Sequence, residues 1–209
     1  MKDDRYKKSA KKYDSFVEPF NRALRKIGMK LYPPVAGIKV LDVGCGTGTT
    51  LNLYQKAGCN IFGIDSSPAM LSIARNKLNS QAELLLGNAA KMEYSNETFD
   101  LIIGMLTLHE MPQNIRSNVL CEMIRVLKRE GRILIIDFHP GSIQFPKGWM
   151  YKAAIYFFEL MAGLEHFRNF RKFMTINGIP GLIETRKLTM ENVKIVGGGN
   201  LGIYVLRLS

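Results

Sequence analysis

Val40-Leu41-Asp42-Val43-Gly44-Cys45-Gly46-Thr47-Gly48 reads as a short apolar strand running into a glycine-rich turn, with an acid two positions before the first glycine. Val40, Leu41 and Val43 supply the strand. Gly44, Gly46 and Gly48 fall on alternate positions, so the backbone can turn tightly and approach a ligand with no Cβ in the way. Leu51, Leu53 and Tyr54 follow at helical spacing, which predicts that the turn opens a helix. A strand, a glycine loop and a helix N-terminus together describe a nucleotide-type pocket.

The residues around the loop narrow the choice of nucleotide. A dinucleotide fingerprint would need a third glycine where Thr49 stands, and a P-loop would end in Gly-Lys-Ser/Thr, which is absent. Asp42 would repel a pyrophosphate at that place. An acid there suits a ligand carrying a cationic amine or sulfonium, which points to S-adenosylmethionine (SAM).

Downstream pieces follow in a matching order. Ile61-Phe62-Gly63-Ile64-Asp65-Ser66-Ser67 reads as a second strand ending in an acid, and such an acid can accept both ribose hydroxyls. Glu83-Leu84-Leu85-Leu86-Gly87-Asn88-Ala89-Ala90 reads as a third strand with its exit loop, and Phe99-Asp100-Leu101-Ile102-Ile103-Gly104-Met105 as a fourth. Val126 to Asp137 reads as a helix end, a turn and a fifth strand. On these motifs residues 36–138 resemble the class I SAM-dependent methyltransferases, of the small-molecule type. The resemblance implies cofactor contacts at Tyr13, Asp42, Gly44, Cys45, Gly46, Gly48, Asp65, Ser66, Asn88, Ala89 and Met105, with S-adenosylhomocysteine as product. Asn88 stands where the family usually has aspartate; an asparagine can still accept from the adenine amine. Taken singly, the pieces have plainer readings. A glycine turn can be structural, Asp65 can belong to the start of the helix at Ser66-Ser67-Pro68, and Asn88 can be a turn residue.

The chain has 209 residues, 46% of them hydrophobic, enough for one domain with a sizeable core. Its first residues are rich in Lys and Asp and show no signal-peptide pattern; a cytoplasmic location is expected. Cys45, Cys59 and Cys121 have neither metal nor disulfide spacing. The net charge of +11 is unevenly divided: +6 in residues 1–30 (ten Lys/Arg, four Asp/Glu), zero in 31–138 (ten, ten) and +5 in 139–209 (nine, four). Such flanks are either a solvated surface or an attraction to an anionic partner: an acidic substrate, a lipid headgroup or RNA.

The flanks also carry apolar patterns. Phe16, Val17, Phe20, Leu24, Ile27 and Leu31 recur at helical spacing, predicting an amphipathic N-terminal cap that ends at Pro33-Pro34. Tyr13 could close over the cofactor or simply pack. Trp149 to Leu164 reads as a very apolar helix, too short to span a bilayer. It is either a core helix, a wall of a greasy substrate pocket or a face resting on a membrane. His166 to Phe173 interleaves aromatics and cations, but Phe167, Phe170, Phe173 and Met174 share one helical face, an ordinary amphipathic arrangement.

Methyl transfer from SAM is an in-line displacement, so a protein mainly aligns the nucleophile and excludes water. If a base is needed, His109, after the fourth strand, is the first choice over His139 and His166. The Asn-Pro-Pro-Tyr/Phe loop of base N-methylation is missing, since Gly104-Met105-Leu106-Thr107 occupies that place. No spacing of His and Asp predicts a metal. The expected architecture is a three-layer α/β sandwich. Its seven-stranded, mainly parallel sheet has an antiparallel last strand, Asn200 to Leu208, after a Gly197-Gly198-Gly199-Asn200 turn. Residues 1–35 form the helical cap, 36–138 the SAM core, 139–190 the substrate-side helices and 191–209 the final strands. The expected acceptor is a small hydrophobic, amphiphilic or anionic molecule, such as a quinone precursor, lipid or thiol. RNA methylation through the basic flanks, or SAM binding without catalysis, are the alternatives.

Overall fold

The computed structural model describes residues 10–78 and 80–209, the side chains of 10–19 excepted. Tyr13, Phe16 and Val17 therefore lie outside the described residues. The order is α1 (Ala10–Leu31), β1 (Lys39–Val43), α2 (Thr49–Lys56), β2 (Asn60–Asp65), α3 (Pro68–Lys77), β3 (Glu83–Leu86), β4 (Phe99–Met105), α4 (Gln113–Val126) and β5 (Leu127–Phe138). Then come α5 (Lys147–Met161), α6 (Leu164–Thr175), α7 (Gly178–Ile183), β6 (Leu188–Val196), a 3-10 turn at Gly197–Gly199 and β7 (Leu201–Leu208).

The strands form one seven-stranded sheet in the order β3-β2-β1-β4-β5-β7-β6. β7 runs antiparallel to both neighbours, and the other pairings are parallel. This is the expected sheet, and the glycine turn before its last strand sits where the sequence put it. Two boundaries move. β6 begins at Leu188 rather than 191, and the turn expected between the end of α4 and the fifth strand is absorbed into β5 as an irregularity. Phe99 pairs with Leu127 but Leu101 already pairs with Arg132, so the residues between bulge out of the ladder.

Alternation along the central strands sends side chains to two cores. Leu41, Val43, Ile102, Ile133 and Ile135 face α4, α6 and α7 through Val119, Leu120, Met123, Phe170, Phe173 and Ile179. Val40, Leu101, Ile103, Leu134 and Ile136 face α1, α2 and α3 through Leu24, Leu51, Tyr54, Leu71 and Ala74. Burial of each of these larger side chains contributes about 1.5–3 kcal/mol. α1 lies on the sheet face: Leu24 is buried, and a Cβ on Gly28 would stand 3.1 Å from Ile136. Phe20, assigned to its apolar stripe, is instead 75% exposed.

The apolar segment expected as one helix to Leu164 is two. α5 stops at Met161, and Gly163, at φ 122°, lets the chain turn into α6. α5 is not a core helix. Trp149, Met150, Tyr151, Phe157, Phe158, Leu160 and Met161 are exposed, while Gly148 and Glu159 are buried. No helix among the described residues is long and apolar enough to cross a membrane.

Candidate active site

The glycine loop joins β1 to α2 at the C-terminal ends of the parallel strands, where open α/β sheets bind ligands. Gly44, Gly46 and Gly48 all have positive φ (74°, 52° and 72°). Their glycines serve different ends. A Cβ on Gly44 would come within 2.4 Å of Thr107 Oγ1, so this one lets the β4 exit loop approach. A Cβ on Gly46 would meet nothing within 4 Å, so this one faces open space that a ligand can fill.

Two carboxylates flank that space. Asp65, at the end of β2, accepts from Gly46 N through Oδ2 and from Ser67 N through Oδ1, both at 2.8 Å, so it fixes the loop's shape. Asp42 is buried, and its Oδ1 has no hydrogen-bond partner. Burial pushes its pKa up to about 7, with the Arg25 guanidinium pulling down and Asp65 adding to the rise. A cationic ligand group would relieve that carboxylate, which is the fit expected of a SAM site. Cys45 is buried beside it, and its thiol is pushed well up by burial and then by Asp42 and Asp65. Arg25 of α1 donates to Thr50 Oγ1, in the first turn of α2, at 3.0 Å, and its charge acts on Asp42.

The other expected contacts are spread around this rim. Ser66 and Asn88 are exposed, Ala89 is half-buried and Met105 is buried at the end of β4. Asn88 Oδ1 accepts from Ala90 N at 2.9 Å, so the plain turn role is present here.

Beyond β4 and β5 lies a second constellation. His109 is buried, and its Nδ1 donates to Asp137 Oδ1 at 2.7 Å. Asp137 also accepts from the backbone N–H of Leu108, His109 and Phe138, so the carboxylate is locked to the strand end. His109 Nε2 points toward Glu159 Oε1 at 3.7 Å. His166 of α6 lies between Glu159 (Nε2 to Oε2, 2.9 Å) and Glu110 (Nδ1 to Oε2, 3.4 Å). Burial alone would lower the His109 pKa, but Asp137, then Glu159 and Glu110, outweigh it and carry it to about 9. Arg116, fully buried, ties the turn together. Its Nε donates to Leu108 O, and its Nη2 to the carbonyls of His109, Met111 and Asn169. His139 stands apart, with Nδ1 2.7 Å from Tyr204 Oη and a pKa lowered by burial.

A family described as "Methyltransferase domain" matches residues 40–131, the segment that carries the loop and four of the strands. A SAM-dependent methyltransferase from Aquifex aeolicus superposes with a TM-score of 0.67 over 96% of this chain and 99% of that one, at 21% identity. The fold is that of the class I SAM-dependent methyltransferases. In sequence, the chain is 34% identical over 159 residues to the demethylmenaquinone methyltransferase of Bacillus cereus, covering 70% of this chain and 66% of that one. It is 36% identical over 127 residues to that of Tropheryma whipplei, covering 58% and 51%. The chain thus spans between half and two thirds of the length of these curated relatives.

The structure brings Asp42, Gly44, Cys45, Gly46, Gly48 and Asp65 together around one loop, while His109 sits in the turn after β4. Asp137, Glu110, Glu159 and Arg116 were not singled out from sequence. Two signals were there to read. Asp137 ends a strand of the parallel sheet, and Glu159 is the one carboxylate in α5.

Proposed function

We propose that the protein transfers the methyl group of SAM to a small hydrophobic or amphiphilic acceptor, an acceptor of the lipid-quinone class being the first to test. The observation that carries this reading is the aromatic and apolar lining that the end of β5 and the segment after it add beside His109. Phe138, Phe170 and Tyr156 form an edge-to-face ladder from the His109 ring, at centroid distances of 4.6, 5.0 and 5.3 Å. The exposed face of α5 extends that apolar surface outward. The Bacillus cereus and Tropheryma whipplei relatives, named for demethylmenaquinone, support the same acceptor class.

SAM supplies an electrophilic methyl group on a sulfonium. In this reading Asp65 receives the ribose hydroxyls, Asp42 meets the cationic amine, and the backbone of Gly44 to Gly48 lies along the methionine part. Cys45, Ser66, Asn88, Ala89 and Met105 complete the cofactor rim. The carboxylates around His109 hold it protonated at neutral pH, which changes the role expected of it. A charged His109 is a donor, suited to holding an anionic acceptor oxygen in line with the methyl group rather than to removing a proton. A cytoplasmic location belongs to the same reading, in which the free thiols of Cys45, Cys59 and Cys121 stay reduced.

The test is calorimetric titration with SAM and S-adenosylhomocysteine, followed by a turnover assay with a reduced lipid quinone in detergent or vesicles. Micromolar cofactor binding with methylated quinone as product is the expected result. Cofactor binding with no turnover on quinones, lipids or thiols would remove the acceptor assignment. Salt-dependent RNA binding with methyl incorporation would replace it with the RNA reading.

A further inference from the structure

α5 distributes its residues against expectation. It leaves Phe157, Phe158, Leu160 and Met161 in solvent and turns its one carboxylate, Glu159, inward to 8% exposure. Burying an ionised carboxylate is costly unless a cation compensates it. Its Oε2 is buried and makes no hydrogen bond, although it lies 2.9 Å from His166 Nε2. The ligand atoms of His109, Glu159 and His166 all lie within 4.8 Å of one another.

We propose that His109, Glu159 and His166 bind one divalent transition metal of the zinc class. Both imidazoles are presented alike. Each has a carboxylate at Nδ1 (Asp137 for His109, Glu110 for His166) and each directs Nε2 at Glu159. A carboxylate behind the far ring nitrogen fixes the tautomer and leaves Nε2 free to ligate, the usual setting of metal-bound histidine. With metal–ligand bonds of about 2.0–2.1 Å, tetrahedral neighbours stand about 3.3 Å apart. The observed separations, 3.7 Å to Glu159 Oε1 and 2.9 Å to its Oε2, reach the two oxygens of one carboxylate, so a small rotation of that group brings one oxygen near this spacing from both rings. Two nitrogens and one carboxylate favour zinc-class ions over magnesium or calcium, which prefer all-oxygen sets. Three protein ligands also leave a fourth position open for an oxygen or thiolate of the acceptor.

Charge supports the assignment independently of ligand geometry. Asp137, Glu159 and Glu110 bring three negative charges to the cluster, and Arg116 brings one positive charge that its carbonyl partners hold in place. An ion would take the place of the Nε2 protons, that of His109 included, and would take over from the charged imidazole the task of holding the acceptor. With the imidazoles then neutral the balance is −2, which one divalent ion cancels. The ligands come from three segments (the turn after β4, α5 and α6), so an ion would also fasten the apolar helix to the sheet end.

The experiment uses the full chain, stripped with a chelator and titrated with zinc, with binding followed by equilibrium dialysis and by thermal unfolding. One zinc per chain and a rise in Tm are expected. Cobalt at the same site should show the intense visible bands of a four-coordinate ion. Glu159→Gln and His166→Ala should each weaken zinc binding at least about 100-fold, and Asp137→Asn about 10-fold. SAM titration of each variant reports folding and the cofactor site separately, so a metal failure is told apart from a failure of the methyltransferase reading. Absence of stoichiometric zinc in a sample that binds SAM would overturn the proposal. So would zinc binding that survives both variants, or that disappears in Cys121→Ser.

Discussion

The two sides of the site treat buried charge in opposite ways. On the cofactor side, Asp42 is a single carboxylate with an open oxygen, beside a loop with room where Gly46 lacks a side chain. On the acceptor side, three carboxylates, two imidazoles and a guanidinium are packed within a few ångströms, and the nearest helix exposes its phenylalanines. The first arrangement is incomplete until a cation arrives. The second is tied together by hydrogen bonds between distant segments, with Glu159 Oε2 left without one. Changes on the first side should therefore alter cofactor affinity and little else, whereas changes on the second should alter stability and acceptor chemistry.

Arg116 should show the largest effect. Arg116→Met keeps the volume but strands the carbonyls of Leu108, His109, Met111 and Asn169, and it loses the guanidinium stacked 4.9 Å above Phe173. A loss of about 3–5 kcal/mol in urea unfolding is expected, the scale of breaking a buried charged network. A loss below about 1 kcal/mol would show that water replaces the guanidinium, and the contrast drawn between the two sides would fail.

Asp65→Ala tests the cofactor side. It removes the acceptor for Gly46 N and the expected partner of the ribose, and SAM affinity should fall about 100-fold, two charge-assisted bonds at about 1.5–3 kcal/mol each less what solvent returns. Circular dichroism should stay native. Unchanged affinity would take Asp65 out of the cofactor site.

Asp42 gives a smaller, pH-graded effect. Its folded pKa of about 7 exceeds the unfolded value, so the native state without ligand holds the proton more tightly and loses stability as pH rises from about 4 through 7. A cationic ligand needs the ionised form. SAM affinity should therefore rise up to about tenfold per pH unit below 7 and level off above, with Asp42→Asn removing that dependence. An identical slope in both proteins would place the titration elsewhere, on SAM or on another residue.

The cofactor side was legible because its information is local. Asp42 to Gly48 is one uninterrupted stretch, and Asp65 follows one helix and one strand later at a spacing set by the βαβ unit. The His109 cluster draws on residues 109, 110, 137, 159 and 166, and no spacing in the chain announces it. Its geometry depends on how α5 and α6 dock onto the end of β5. That docking is set by packing between segments rather than by any local pattern. α5 was misread as a candidate core helix for the same reason. Composition shows that a helix is apolar but not which face turns inward, and here the inward face carries the glutamate.

The exposed face of α5 provides the smallest effect on the fold. Phe157, Phe158 and Met161 are 59%, 64% and 70% exposed, so replacing all three with serine removes little packing. Stability should stay within about 1 kcal/mol, the range of surface substitutions taken together, and SAM affinity should not move. Turnover is where the variant should differ. An apolar patch of this kind marks a contact surface, and if it takes up the hydrophobic acceptor, KM for a quinone in vesicles should rise while kcat holds. A loss of stability comparable to a core truncation would instead mean that the face is covered in solution, and the acceptor would then have to reach His109 by another route.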